Sequence, residues 1–178
     1  MIKILIGVVI VTVLVIGAFL ILDPSIGITS TGAPVTEVSS SVFSITVEGE
    51  VYKPGTYTLE DNATMGDLIK AAGGLTSSAD ERAFYETATL TNGSSYYIAS
   101  LYDSNDLCSA STVNKVNINS DDAETLASIN GITATLANSI ITYRTDNGLF
   151  STVEQLQEVY GIGPATYKKV RGYVILHA

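Results

Sequence analysis

Hydrophobic residues are spaced in three different ways along this chain, and each spacing predicts a different structure. Residues 4–22 carry no charge, and at about 1.5 Å per residue a helix of this length would cross the hydrocarbon core of a membrane. Within residues 43–101, apolar and polar positions alternate, as they do in strands that bury one face. Within residues 115–178, apolar residues recur at helical spacing. We therefore predict an N-terminal transmembrane helix, a small α+β domain and an all-α domain, in that order.

Residues 1–23 are interpreted as a single-pass membrane anchor. Lys3 and the terminal amine form the only basic flank, so the N-terminus is predicted to be cytoplasmic and the bulk of the chain extracellular. A cleaved signal peptide is the competing interpretation, but its apolar core is usually shorter and ends at a small-residue cleavage site. Residues 24–42 are rich in Ser, Thr, Gly and Pro, which predicts a flexible tether.

The alternating region predicts a compact α+β unit. Two strands are expected on either side of Lys53-Pro54-Gly55, followed by a short helix over residues 65–72. Residues 87–90 and 95–98 flank Asn92-Gly93, a dipeptide that favours a hairpin turn. The order strand, strand, helix, strand, strand is that of a β-grasp arrangement.

Residues 117–173 contain the same sequence unit twice, thirty residues apart. Leu126 aligns with Leu156 and Gly131 aligns with Gly161, without gaps. Each copy predicts a helix, a tight turn and a second helix. Two copies are too few for a solenoid, so we expect them to bury their apolar faces against each other.

The turn of the second copy is Tyr160-Gly161-Ile162-Gly163, and Pro164 suits the first position of the next helix. Ser151 and Glu154 fit a capping box at the start of the preceding helix. We expect the isoleucine to be buried, while the glycines leave backbone N–H groups open to an anion such as phosphate. The first turn, Asn130-Gly131-Ile132-Thr133, has a threonine in place of the second glycine, which is expected to hinder close phosphate approach.

Both hairpins, together with Val116-Asn117-Ile118-Asn119 before them and Gly148-Leu149-Phe150 between them, resemble the tandem helix-hairpin-helix domain of ComEA-like competence proteins. The resemblance implies that residues 115–178 grip the sugar-phosphate backbone of double-stranded DNA without reading its bases. The residues that it places at the DNA are Gly131, Ile132, Thr133, Gly161, Ile162, Gly163, Thr166, Lys168, Lys169 and Arg171.

Residues 43–101 resemble the soluble-ligand-binding β-grasp (SLBB) domain, in particular at Pro54-Gly55-Thr56-Tyr57 and Ala72-Gly73-Gly74-Leu75-Thr76. This resemblance implies saccharide contact, protein contact or self-association. A spacer domain without a ligand is an equally good interpretation. Residues 102–114 are polar and aperiodic, and are predicted to be a second linker.

Charge is unevenly distributed over a chain whose net charge is −9. Residues 24–110 carry three basic and eleven acidic side chains, whereas residues 115–178 carry five and six. Lys168 and Lys169 are predicted in the early turns of the last helix, where the helix dipole disfavours cations. This position is better explained by an anionic partner than by stability of the fold.

The sequence contains few residues that could act as catalytic groups. Cys108 is the only cysteine and His177 the only histidine, and neither belongs to a cluster with metal-ligand spacing. We expect His177 to be a solvated tail residue. The sequence therefore predicts a binding protein rather than an enzyme, with no metal or cofactor.

These features predict a membrane-anchored extracellular receptor that binds double-stranded DNA non-specifically for natural transformation and passes it to an uptake-channel protein. The alternative is a cell-envelope protein that contacts protein or glycan and whose hairpins no longer bind DNA. The acidic balance and the threonine in the first turn favour this alternative.

Overall fold

The computed structural model describes residues 42–102 and 112–178. The predicted anchor, almost all of the predicted tether and residues 103–111 of the predicted linker lie outside these described residues. Within the part that is described, no helix is long and apolar enough to cross a membrane. All described residues fall within one compact unit.

The β-grasp region forms a three-stranded sheet that is covered by one helix. Its elements are β1 (Val42–Gly49), β2 (Gly55–Glu60), α1 (Met65–Ala71) and β3 (Ser95–Ile98). The sheet order is β2-β1-β3, with β1 antiparallel to β2 and parallel to β3. Helix α1 begins after Thr64, whose backbone N–H donates to the Asp67 carboxylate at 2.9 Å, as in a capping box. The predicted first two strands and helix are thereby confirmed.

The predicted hairpin around Asn92-Gly93 is wrong. Strand β3 pairs with β1 rather than with residues 87–90, from which Thr89 forms only an isolated bridge to Thr64. The turn itself docks on β1, because Gly93 N–H donates to the Ser44 carbonyl at 2.8 Å and Ser44 N–H donates to Asn92 Oδ1 at 3.0 Å. The chain therefore leaves the turn alongside β1 instead of folding back on itself.

The repeat region is helical, and a short parallel strand pair joins its two ends. Its elements are β4 (Val116–Asn117), α2 (Ala123–Ala127), α3 (Ala134–Asn147), a 3₁₀ helix (Val153–Glu158), α4 (Pro164–Val170) and β5 (Val174–Ile175). Strands β4 and β5 pair in parallel. The first helix of the second copy is thus a 3₁₀ helix, although its partner α2 is an α-helix.

The predicted capping box of Ser151 with Glu154 is wrong. The 3₁₀ helix begins after Thr152, and Gln155 Oε1 accepts backbone N–H groups from Ser151 at 2.7 Å and from Thr152 at 3.2 Å. The Glu154 carboxylate instead reaches the β-grasp region, where it accepts the Tyr97 N–H at 2.8 Å. The local sequence offers two side-chain acceptors for the capping box, Glu154 and Gln155. Gln155 fills this role because Glu154 is bonded to the β-grasp region.

The two copies bury a common core, as the repeat predicted. Leu126 and Leu156 occupy equivalent positions and are fully buried within it. Asn119 fastens the start of the repeat to its middle, because its amide accepts the Phe150 N–H at 2.8 Å and donates to the Phe150 and Leu176 carbonyls at 3.0 Å. These bonds explain why the Asn-Ile-Asn segment and the Gly-Leu-Phe connector occur together.

The two regions meet at a packed junction. Lys115 Nζ lies 2.8 Å from an Asp80 carboxylate oxygen, and both side chains are only 1% exposed. Ala83, Ala99 and Ile175 form a small apolar cluster across the same junction. Although residues 102–114 were predicted as a linker, the regions that they join are in direct contact.

His177 belongs to this junction, so its predicted position in a solvated tail is wrong. Its ring stacks on Tyr85 with centroids 4.8 Å apart, and its Nε2 lies 3.0 Å from the Phe84 carbonyl oxygen. The preceding residue, Leu176, donates its N–H to the Arg82 carbonyl at 2.8 Å. The chain end is therefore fixed along the 3₁₀ turn Glu81–Ala83.

Candidate nucleic-acid interface

The two hairpin turns have nearly the same backbone geometry. Gly131 and Gly161 both adopt positive φ, at 111° and 91°. The helix N-caps that follow are extended, with φ and ψ of −82° and 163° at Thr133 and −86° and 176° at Gly163. The threonine in the first turn therefore does not change the path of the chain.

The isoleucines hold each turn from the inside. Ile132 and Ile162 are buried, and their N–H groups donate at 3.0 Å to the carbonyls of Ile129 and Val159. Burial of the isoleucines is as predicted, but these N–H groups are already bonded within the protein. The N–H groups of the exposed N-caps are open by contrast, because no described residue accepts a hydrogen bond from the N–H of Thr133 or Gly163.

The predicted place of Lys168 and Lys169 in the early turns of a helix is wrong. Helix α4 has seven residues, so both lysines lie in its last turn, where the dipole favours cations by about 0.3–1 kcal/mol each. The helix dipole therefore no longer argues for an anionic partner. Both side chains are exposed. Thr166, on the same helix, is half-buried.

Lys169 lies beside the first hairpin, although it belongs to the second copy. A Cβ added to Gly131 would be 3.7 Å from both the Cβ and the Cδ of Lys169. In the same way, a Cβ added to Gly161 would meet Leu136 of the first copy. Each turn thus packs against the second helix of the other copy, and the first turn obtains a neighbouring cation from α4.

Arg171 is engaged at the junction. Its guanidinium forms an ion pair with Glu48 at 3.0 Å and lies 3.9 Å from the centroid of the Tyr97 ring, where a cation–π contact is favourable. Its side chain is 19% exposed. The structure therefore places Arg171 in contacts within the chain rather than beside the lysines as a free cation.

The remaining cations of the repeat region also have partners. Arg144 donates to the carbonyls of Ile118 and Asp121 at 2.8 Å each, and Lys115 pairs with Asp80. Within residues 112–178, this leaves two cations without an acidic or carbonyl partner, Lys168 and Lys169.

Glu154 connects α4 to the sheet edge. Its carboxylate accepts the Tyr97 N–H at 2.8 Å and the Tyr167 hydroxyl at 2.9 Å. Burial raises the pKa of Glu154, and burial together with this carboxylate raises the pKa of Tyr167. Sequence reasoning missed this contact because Glu154 and Tyr97 are 57 residues apart and no local pattern relates them.

Comparison with known families gives one match for each region. The profile of the helix-hairpin-helix motif matches residues 111–175. The profile of the SLBB domain matches residues 44–99.

Similar proteins come from several bacteria. ComE operon protein 1 of Bacillus subtilis is 30% identical over 145 residues, which cover 76% of this chain and 71% of that protein. An uncharacterized protein of Haemophilus influenzae is 47% identical over 62 residues, which are 34% of this chain and 55% of that protein. An uncharacterized protein of Neisseria meningitidis is 36% identical over 59 residues, only 8% of its own length.

Proposed function

The chain belongs to the ComEA-like family of competence DNA-binding proteins, and on this premise we propose that it is a receptor for double-stranded DNA in natural transformation. It would bind duplex DNA through the backbone, without sequence preference, as a binding protein and not as an enzyme. Membrane anchoring through residues 1–23 and transfer to an uptake-channel protein are parts of the same proposal.

One observation carries the DNA-binding proposal. Two turns of nearly the same geometry present the open N–H groups of Thr133 and Gly163, and the unpaired cations Lys168 and Lys169 follow on α4. N–H groups at helix starts and lysines are suited to phosphate oxygens. Phosphate contacts carry no sequence information by themselves, which supports non-specific binding. Gly131 and Gly161 would contribute by shaping the turns, and Ile132 and Ile162 by holding them.

The test is a comparison of two double charge reversals in the full chain. Lys168→Glu with Lys169→Glu removes the proposed contacts, whereas Lys53→Glu with Lys70→Glu makes the same change at exposed lysines of the β-grasp region. We expect the first pair to reduce duplex affinity by more than tenfold in a fluorescence anisotropy titration and the control pair to have little effect.

Salt dependence gives the same test a quantitative form. Two neutralised phosphates correspond to a slope of log K against log salt of about −1.8, from about 0.9 per phosphate. Equal losses in both double variants would mean that net charge, not the α4 surface, governs binding. A strong preference for one duplex over random competitors would contradict backbone-only recognition.

The anchor is tested separately. Residues 4–22 are uncharged and follow Lys3, which supports an extracellular position for the remainder of the chain. Protease added to intact, wall-stripped cells should therefore release a soluble fragment by cutting within residues 24–42. Release from broken cells alone would contradict this orientation.

A second candidate function is contact with glycan or protein in the cell envelope, through saccharide binding or self-association of the β-grasp region. A cleft of about 1080 Å³ favours it, because its walls come from both regions and carry many hydroxyl and amide groups, including Thr89, Ser95 and Gln155. Calorimetric titration of the full chain with wall oligosaccharides would test this candidate. Saccharide binding without any DNA binding would replace the receptor proposal.

A further inference from the structure

Tyr160 is 91% exposed, more than any other large hydrophobic residue in the described part of the chain. It forms the tip of the second hairpin turn, immediately before Gly161. No described residue forms a hydrogen bond with its hydroxyl or stacks on its ring. Nothing in the described fold therefore accounts for an aromatic side chain here.

The repeat supplies an internal comparison. The equivalent position in the first copy is Asn130, which is also exposed and precedes a glycine of the same backbone class. The backbone conformation of this turn is therefore compatible with a short polar residue at the position of Tyr160. The residues after Tyr160 at the surface are small, with Gly161 and Gly163 exposed, so no bulky side chain from the turn covers the ring.

The surroundings of the ring indicate which ligand it suits. The open N–H of Gly163 and the unpaired Lys168 belong to the same hairpin and its following helix, and both favour a polyanion. Aromatic rings beside a basic surface are stacking platforms for bases of single-stranded nucleic acid. Bases within an intact duplex are stacked on one another, so a ring at this tip can meet a base face only where the strand is unpaired.

We propose that Tyr160 is a stacking platform for an unpaired nucleobase, which adds binding of single-stranded tails and frayed ends to the duplex grip of the hairpins. This inference rests on the proposed DNA-binding function, because the turn must already lie against the DNA backbone for the ring to reach a base.

The experiment uses the full chain and two probes that share one duplex sequence. One probe is closed at both ends by loops of hexaethylene glycol, and the other carries a short deoxyadenosine tail that contains one 2-aminopurine. The variants are Tyr160→Asn, which copies the first turn, and Tyr160→Phe, which keeps the ring. Tyr52→Asn is the matched control, because Tyr52 is 68% exposed on the β-grasp region.

We expect the wild-type chain to prefer the tailed probe and to change its 2-aminopurine fluorescence. Tyr160→Asn should weaken tailed-probe binding by roughly 5-fold to 150-fold, the range found for one base–aromatic stack, and closed-probe binding by less than about twofold. Tyr160→Phe and Tyr52→Asn should behave as the wild type. The advantage of the tail should persist at high salt, because stacking itself releases no counterions.

Equal losses on both probes would overturn the proposal, since they would place Tyr160 against the duplex backbone. The proposal would also be overturned if the wild type did not prefer the tailed probe, or if Tyr160→Asn kept that preference. The exposed ring would then be better explained by contact with a protein partner. In these cases the closed probe still binds, so the receptor function stands. Failure of the wild type to bind either probe would remove both proposals together.

Discussion

The three glycines of the hairpin turns have different physical roles. Gly131 and Gly161 adopt positive φ, and an added Cβ would come within 3.2 Å of Val170 and 2.8 Å of Leu136, respectively. Gly163 has an ordinary φ of −86°, and a Cβ there would meet nothing within 4 Å. The first two are therefore required by the fold, whereas neither the backbone conformation nor the space around Gly163 requires a glycine, which leaves its N-cap position and close approach of a ligand as reasons for it.

This difference allows stability to be separated from binding. Gly161→Ala is expected to lower the unfolding free energy by about 1–2 kcal/mol, because left-handed backbone is unfavourable for residues with a Cβ. Gly163→Ala should change stability by less than about 1 kcal/mol, because the restriction of the unfolded chain by alanine is offset by the weaker preference for alanine at a helix N-cap. If phosphate meets this N-cap, Gly163→Ala should nevertheless weaken duplex binding several-fold. Thermal unfolding and anisotropy titration measure the two effects, and unchanged binding would remove Gly163 from the interface.

Prediction from sequence succeeded for the turns because their determinants are local. A glycine followed by an isoleucine and a helix N-cap specifies the hairpin within a few residues, and both copies have it. The length of α4 was not accessible in this way, because the pattern does not show that the helix ends at Val170 to allow β5 to pair with β4. The lysines were placed in early turns because the local sequence does not reveal this early end of α4.

At the level of the helices, the two copies are unequal in charge. Thirty residues before Lys168 the first copy has Asn138, which is exposed and donates its amide to the Ala134 carbonyl at 2.9 Å. Helix α3 thus has no cation at the position where α4 presents one.

Asn138→Lys should therefore raise duplex affinity by adding a phosphate contact from α3. The slope of log K against log salt should become more negative by about 0.9, the value for one further phosphate. Thr142→Lys is a matched control, because Thr142 is exposed one turn further from the hairpin. Salt titration of both variants is the measurement. Equal gains in the two would indicate general attraction and would contradict a defined contact beside the turn.

The contacts between the two regions were beyond sequence reasoning. Tyr85 bonds the Leu176 carbonyl across 91 residues, and Arg171 bonds Glu48 across 123. The local sequence around each of these side chains is equally compatible with exposure to solvent. Periodicity and composition therefore do not distinguish an exposed side chain from one that contacts the other region. The regions were predicted from sequence, but their junction requires the folded chain.

The buried ion pair at the junction makes stability depend on pH. Burial would raise the pKa of Asp80, but hydrogen bonds and charge from Arg82 and Lys115 lower it to about 2 from an ordinary value of 3.8. The folded state therefore binds this proton less readily than the unfolded state, and the stabilisation is present above about pH 4 and is lost as the pH falls towards 2.

Asp80→Asn should lower the unfolding free energy at pH 7 by about 3–5 kcal/mol, because it leaves Lys115 buried without its counter-charge. The difference between wild type and variant should shrink between about pH 4 and pH 2, because the unfolded wild-type chain takes up a proton at Asp80 that the folded chain does not. Urea unfolding at a series of pH values gives both quantities. A difference that stays constant from pH 7 to pH 2 would show that the ionised carboxylate is not the stabilising group.

The whole described unit is expected to unfold as one because its two regions share a junction. Ala83 is 2% exposed and packs with Ala99 and Ile175, so Ala83→Glu would place a charge in that apolar cluster. The wild-type chain should show a single calorimetric transition, and Ala83→Glu should separate it into two. Ala71→Glu, at an exposed alanine, makes the same chemical change and should keep one transition, with a loss below about 1 kcal/mol from the helix dipole. Two transitions already in the wild type would contradict the coupling, and the position of the hairpins would then be independent of the β-grasp region.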